Sequence, residues 1–219
     1  AGVAADASRP AAAQALHPDA PRETVVEAGP RPLAAIVFYR ALMQSGQTEP
    51  VEALARAMAR QGLDVLPVYV SSLKDPVSIE TLRALFAQRA PDVVVNLTGF
   101  AVSSPGGERV PTVLEEGGAV VLQAVLASGA REAWEASSQG LSARDLAMNV
   151  ALPEVDGRVL GRAIAFKSAG DWDALTQTDI VAHRSLPDRV EFVAELAARW
   201  CRLRTKPAEA RRVAILLAN

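Results

Sequence analysis

The chain has 219 residues, a formal net charge of -2 and a pI near 5.8, with half of its residues hydrophobic and 22% charged. That is the composition of an ordinary globular protein with room for a sizeable core, and the near-neutral balance gives no general electrostatic reason to expect nucleic acid or an anionic membrane as partner. A single cysteine, Cys201, excludes an intramolecular disulfide and a cysteine-cluster metal site; it fits a reducing, cytoplasmic compartment, as does the lack of an apolar run of about 18 residues.

Residues 1–32 are rich in alanine and are interrupted by Pro10, Pro18, Pro21, Pro30 and Pro32, which reads as a linker or arm. Leu33 to Tyr39 is a continuous apolar run of the kind buried on both faces of a parallel sheet. Arg40 to Gln47 reads as a loop. Thr48 then caps a helix in which Val51, Leu54, Ala55 and Met58 share one face, and Gly62 closes it. Leu63 to Val70 is a second strand, placed at an edge by Pro67. A helix opened by Ser78 turns Ile79, Leu82 and Phe86 to the core, and Asp92 to Leu97 is the third strand, running into Thr98-Gly99-Phe100.

A loop with Ser103-Ser104-Pro105-Gly106-Gly107 follows, then a short helix begun by Pro111 and a fourth strand over Ala119 to Leu126. The loop either cradles an anion through backbone donors or is simply mobile. Short helices over Ala130 to Gly140 and Ser142 to Asn149 lead into Leu152-Pro153-Glu154-Val155-Asp156-Gly157. Pro153 biases its predecessor toward extended geometry, and Asp-Gly is a turn signal, so the spacing predicts strand, turn and strand with two carboxylates at a strand end. Strands over Arg158 to Lys167 and Thr176 to His183 precede a long helix capped by Ser185, with Val190, Val193, Ala197 and Trp200 on one face. The apolar run Arg212 to Ala218 reads as the opening strand of a further unit, as in a fragment of a longer protein.

Strand, helix, strand, helix, strand at this spacing argues a parallel sheet with right-handed crossovers. The fold class is α/β: a flavodoxin-like or Rossmann-like parallel unit over residues 33–130, then a smaller α+β segment over 131–219 leading into another α/β domain. No GxxxxGK[ST] loop occurs, and no GxGxxG follows a strand, so nucleotide binding by this chain has no support. His17 and His183 lie far apart without carboxylate or cysteine neighbours at metal-ligand spacing. Tyr39-Arg40, at a strand's C-terminal end, suits either an anionic ligand or a structural salt bridge.

IVFYRALMQSGQTEPVEALARAMARQGLDVLPVYVSSLKDP, VVVNLTGFA, REAWEASSQGLSARDLAMNVALPEVDGR and AIAFK together resemble the large subunit of aerobic cobaltochelatase, the CobN type, which is related to the large subunit of magnesium chelatase. The resemblance covers roughly residues 33–219, and its most specific element is LTGFA followed some fifty residues later by LPEVDGR. It implies insertion of Co2+, as substrate metal, into hydrogenobyrinic acid a,c-diamide during cobalamin synthesis. ATP and Mg2+ would be used by separate AAA+ motor subunits, which agrees with the missing phosphate loop. A magnesium-chelatase-type subunit acting on protoporphyrin IX, or a non-catalytic flavodoxin-like ligand-binding module, remains the alternative.

Metal insertion requires removal of the macrocycle's inner pyrrole protons and a cation stripped of water beside it, so a carboxylate at the cavity wall serves as base and as metal ligand. Glu154 is the candidate for both. Asp156 is second, or shapes the turn. Arg40 and Lys167 would meet peripheral carboxylates, Tyr39 and Phe100 the macrocycle's face, and Thr98 and Gly99 the crevice between them.

Overall fold

The computed structural model describes residues 30–215 and 217, so nearly all of the expected N-terminal arm lies outside the described residues. The alternation of apolar side chains builds one six-stranded sheet. β1 (Leu33–Tyr39) pairs in parallel with β2 (Asp64–Val70) on one side and β3 (Val93–Asn96) on the other. β4 (Val120–Ala130) follows β3, and β5 (Val159–Asp173) follows β4, both in parallel; β6 (Thr178–Ser185) closes the sheet antiparallel to β5. The strand order is β2-β1-β3-β4-β5-β6. The pairing continues from β4 into β5 and β6, on either side of residue 130. The parallel order and the antiparallel edge make this an α/β sheet of mixed direction. Pro67 stands on the edge strand opposite Ile36, where a missing ladder donor costs least.

Successive strand residues face opposite layers. On one face Ile36, Phe38, Val93, Val95, Leu122 and Ile164 meet two helices, α2 (Glu49–Arg60) and the long α7 (Pro187–Thr205). Leu54, Met58, Val193 and Ala197 are fully buried between them. Cys201 sits in this layer, and burial pushes its thiol up to about 11, so it remains an unreactive thiol at neutral pH. On the other face Val37, Val94 and Val121 meet Leu82 of α3 (Pro76–Gln88) and Val113 and Leu114 of the β3–β4 connection. No helix of the described residues is long and apolar enough to cross a membrane.

Several local expectations give way to stronger chemistry. Arg40 to Gln44 forms a single-turn helix, α1, rather than a loop, ended by Gly46 at φ 67°. α3 begins at Pro76, two residues before Ser78: Asp75 is the better cap, and its carboxylate accepts from the Ser78 N–H at 3.0 Å and the Ser78 hydroxyl at 2.7 Å. Thr48 occupies the N-cap of α2, but its hydroxyl donates to Glu52 at 2.6 Å instead of accepting from the backbone. Ser185 does not cap α7, because Glu49 accepts both its N–H (2.9 Å) and its hydroxyl (2.5 Å). The segment after Pro111 forms turns, not a helix. Among the described residues of Arg212 to Ala218 there is no strand, and Val213, Ile215 and Leu217 are exposed.

The largest correction concerns the acidic stretch 152–157, which is the end of a helical run. α4 (Arg131–Glu135) follows β4; then α5 (Ala143–Leu146), a π-turn (Ala147–Ala151) and α6 (Leu152–Val155) are continuous. Proline is tolerated because the π-turn does not need its missing donor. Asp156-Gly157 forms a Schellman end: Gly157, at φ 74°, donates to the Glu154 carbonyl at 2.8 Å and Arg158 to that of Pro153 at 3.4 Å.

If the α2–α7 layer carries the core, Leu54→Ala, which empties a fully buried site, will lower the free energy of unfolding by about 2–5 kcal/mol. Urea titration of both proteins measures this, and a change below about 1 kcal/mol would show that the layer repacks freely.

Candidate functional site

In a sheet of this order the chain leaves β1 toward one face and β3 toward the other, which opens a crevice at the carboxyl ends of these two neighbours. Tyr39 ends β1 and Asn96 ends β3, so Leu97-Thr98-Gly99-Phe100 leads directly into the crevice.

Beneath it lies a polar network with almost no solvent access. Asn96, Thr98, Gln123, Asp156 and Arg158 are all buried. Asn96 Nδ2 donates to Gln123 Oε1 at 2.8 Å and to the Thr98 carbonyl at 2.9 Å, while Thr98 Oγ1 donates to Asn96 Oδ1 at 2.9 Å. Gln123 Nε2 also reaches the Thr98 carbonyl, at 2.9 Å. Arg158 Nη1 donates to Gln123 Oε1 at 3.3 Å and to the Thr98 carbonyl at 3.4 Å, and Nη2 to Asp156 Oδ2 at 2.7 Å. The side chains of this ion pair are 2% and 0% exposed.

Asp156 spends its remaining capacity on the loop after β3, accepting from the Val102 N–H at 2.8 Å and the Ser103 N–H at 2.9 Å. Burial pushes its carboxyl up, but the Ser103 and Val102 donors and the Arg158 charge outweigh that and hold it below the ordinary carboxylate range. Both oxygens are therefore occupied, and Asp156 is no free turn residue.

Phe100 is presented from this base by a second device. Leu152 N–H bonds the Ala147 carbonyl across the π-turn, and Pro153 has no N–H to offer the next carbonyl, that of Met148. Met148 O accepts instead from the Phe100 N–H at 2.8 Å. This holds Phe100 at φ 63°, a conformation that costs a non-glycine residue roughly 1–2 kcal/mol. Gly99 allows the approach: a Cβ there would lie 2.8 Å from Asn149 Oδ1 and 3.1 Å from Met148 O. The Phe100 ring is left about half exposed, and strain of this kind concentrates at ligand sites.

Two cavities flank Tyr39. The first, about 340 Å³, is lined by Tyr39, Lys74, Gly99, Phe100, Leu152 and Arg158 among others. The second, about 350 Å³, is lined by Arg40, Leu97, Leu126, Asn149 and His183 on the other side of Tyr39. Tyr39 donates to the Gly99 carbonyl at 3.2 Å; burial raises its phenol above the ordinary range, so it stays neutral. Burial lowers His183, whose Nδ1 and Nε2 lie 3.2 Å from Gln47 Oε1 and the Ala127 carbonyl.

The structure thus brings Tyr39, Arg40, Gly99 and Phe100 together at the crevice, with Thr98 in the network beneath. Glu154 is exposed on α6, two residues from Leu152 in the cavity wall, and its carboxylate makes no hydrogen bond or ion pair among the described residues. Lys167 is exposed on β5 opposite His183 and lines neither cavity. Asn96, Lys74, Gln123 and Arg158 escaped the sequence reading. Asn96 and Gln123 were visible as lone polar residues inside the apolar runs VVVN and VVLQAVLA, where a polar side chain needs a buried partner. Among the described residues no group of three or more His, Cys, Asp or Glu is arranged to hold a metal ion.

The model of a family described as CobN/Magnesium Chelatase matches residues 5–219. The chain is 59% identical over 189 residues to the aerobic cobaltochelatase subunit CobN of Sinorhizobium sp, a match covering 86% of this chain and 15% of that protein. It is 25% identical over 221 residues to a magnesium-chelatase subunit of Rhodobacter capsulatus, covering 92% of this chain and 18% of that one. Among solved structures, the catalytic subunit of cobaltochelatase from Mycobacterium tuberculosis superposes with a TM-score of 0.63 at 31% identity, over 80% of this chain and 15% of that one. The chain therefore spans about 15% of the length of the cobaltochelatase relative it matches.

Removing one partner of the buried pair strands the other. Asp156→Ala will destabilise the fold by about 3–5 kcal/mol, measured by urea unfolding. Because the folded carboxyl titrates below its unfolded value, the gap to wild type is full above about pH 4 and narrows as pH falls through the folded pKa. A gap of less than 1 kcal/mol at pH 7, or one that widens in acid, would contradict the assignment.

Proposed function

The chain belongs to the CobN/magnesium chelatase family, and on that premise we propose that it is part of the large, tetrapyrrole-binding subunit of an ATP-dependent cobaltochelatase. The reaction is insertion of Co2+ into hydrogenobyrinic acid a,c-diamide, in the cytoplasm, with ATP hydrolysed by separate AAA+ subunits. What favours cobalt over magnesium is the far greater identity to the cobaltochelatase relative than to the magnesium-chelatase one.

The observation that supports tetrapyrrole binding in this segment is the strained, half-exposed Phe100 at the carboxyl end of β3, with Tyr39 beside it and a cavity on either side. A flat macrocycle is held by aromatic faces and by cations at its rim. Tyr39 and Phe100 supply the faces, and Arg40 stands at the rim. Insertion displaces the inner N–H proton of the macrocycle as Co2+ binds. Of the two carboxylates at the end of α6, Glu154, with neither oxygen engaged among the described residues, is the one free to take a proton or to hand over the cation; Asp156 is committed to Arg158 and the loop.

In the full-length protein carrying this sequence, with its motor subunits, Glu154→Gln will lower the rate of cobalt insertion by roughly 10²-fold while leaving macrocycle affinity nearly unchanged. Phe100→Ala will do the opposite, weakening affinity by roughly tenfold, the scale of a lost aromatic contact. The flavodoxin order of the strands favours one other reading, a ligand-binding module without chemistry. That reading requires normal insertion by Glu154→Gln in a folded, assembled protein.

A further inference from the structure

Among the described residues one buried side-chain polar atom has no hydrogen-bond partner, Arg158 Nε. Arg158 lines the cavity beside Phe100, and its other nitrogens are engaged by Asp156, Gln123 and the Thr98 carbonyl. An unfilled N–H on a guanidinium that is 2% exposed is a costly defect unless something in the cavity accepts from it. Lys74 lines the same cavity, is exposed, and makes no ion pair among the described residues. The charge of Arg158 is matched by Asp156, and neighbouring Asp75 lines a different cavity, together with Arg40. The lining of the cavity thus holds one cation without an ion-pair partner among the described residues, Lys74, and one residue with an unused donor, Arg158.

That combination selects its ligand. A monoanion neutralises Lys74 and accepts from Arg158 Nε, whereas a phosphate dianion would leave a negative charge uncompensated in a half-closed site. The Val102 and Ser103 N–H groups that might have cradled a phosphate already donate to Asp156. Building on the proposed tetrapyrrole reading, we infer that this cavity seats one peripheral carboxylate arm of the macrocycle, ion-paired to Lys74 and hydrogen-bonded by Arg158 Nε. Phe100 at its rim lies against the ring from which the arm descends, so ring and arm are read from one loop.

The test uses the full-length protein carrying this sequence and two probes, hydrogenobyrinic acid a,c-diamide and the same macrocycle with its carboxylates methyl-esterified, titrated by fluorescence quenching. Lys74 is exposed on a loop, so Lys74→Ala leaves the fold intact. It will weaken the acid by roughly tenfold and the ester by less than about twofold, as expected for one lost charge-assisted contact. Equal losses for both probes, or none for the acid, would overturn the inference. Phe100→Ala is the separate arm: if it weakens both probes while Lys74→Ala weakens neither, the tetrapyrrole reading stands and only the carboxylate seat falls. If the wild type binds neither probe, both fall.

Discussion

A guanidinium buried to 2% exposure must be surrounded by acceptors, and Arg158 recruits them from three parts of the chain: Asp156 at the end of α6, Gln123 on β4, and the Thr98 carbonyl just past β3. Such a pair contributes little net stability, because desolvation offsets most of the Coulomb attraction. What it supplies is position. With Arg158 in place, the loop from Leu97 to Ser103 has one arrangement in which Asp156 is satisfied, and the floor of the crevice is set by that arrangement.

Phe100 depends on the same base through a different physical cause. A proline within a helical run leaves one carbonyl without its donor, and that carbonyl, on Met148, takes the N–H of Phe100. Glycine at position 99 leaves room for the approach. Two chemically unrelated constraints, a buried charge and a missing N–H, thus converge on the loop from Leu97 to Ser103. An aromatic ring placed by its backbone in this way loses little freedom on meeting a ligand.

Much of this architecture is legible in the sequence. Continuous apolar runs separated by helical periods give the parallel sheet, and Pro67 gives its edge; LTGFA and Tyr39-Arg40 mark the carboxyl ends where a crevice forms. The acidic stretch 152–157 misleads because its signals are local. Pro153 and Asp-Gly read as strand and turn in isolation, yet a π-turn absorbs the proline and the same Asp-Gly ends a helix equally well. The division of labour between Glu154 and Asp156 is not visible from spacing. It depends on Arg158, whose burial is decided by β4 and β3, far away in the chain. Ser185 fails as a cap for a similar reason, since a carboxylate on α2, Glu49, outcompetes the backbone for its hydroxyl.

The central claim is that the crevice at the carboxyl ends of β1 and β3 is a wall of the tetrapyrrole site. A structure of the full-length protein carrying this sequence, with hydrogenobyrinic acid a,c-diamide bound, tests it most directly. The account predicts the macrocycle in van der Waals contact with Phe100 and Tyr39, with Lys74 on one side of Tyr39 and Arg40 on the other. A macrocycle bound elsewhere, with Phe100 still bare, would contradict it.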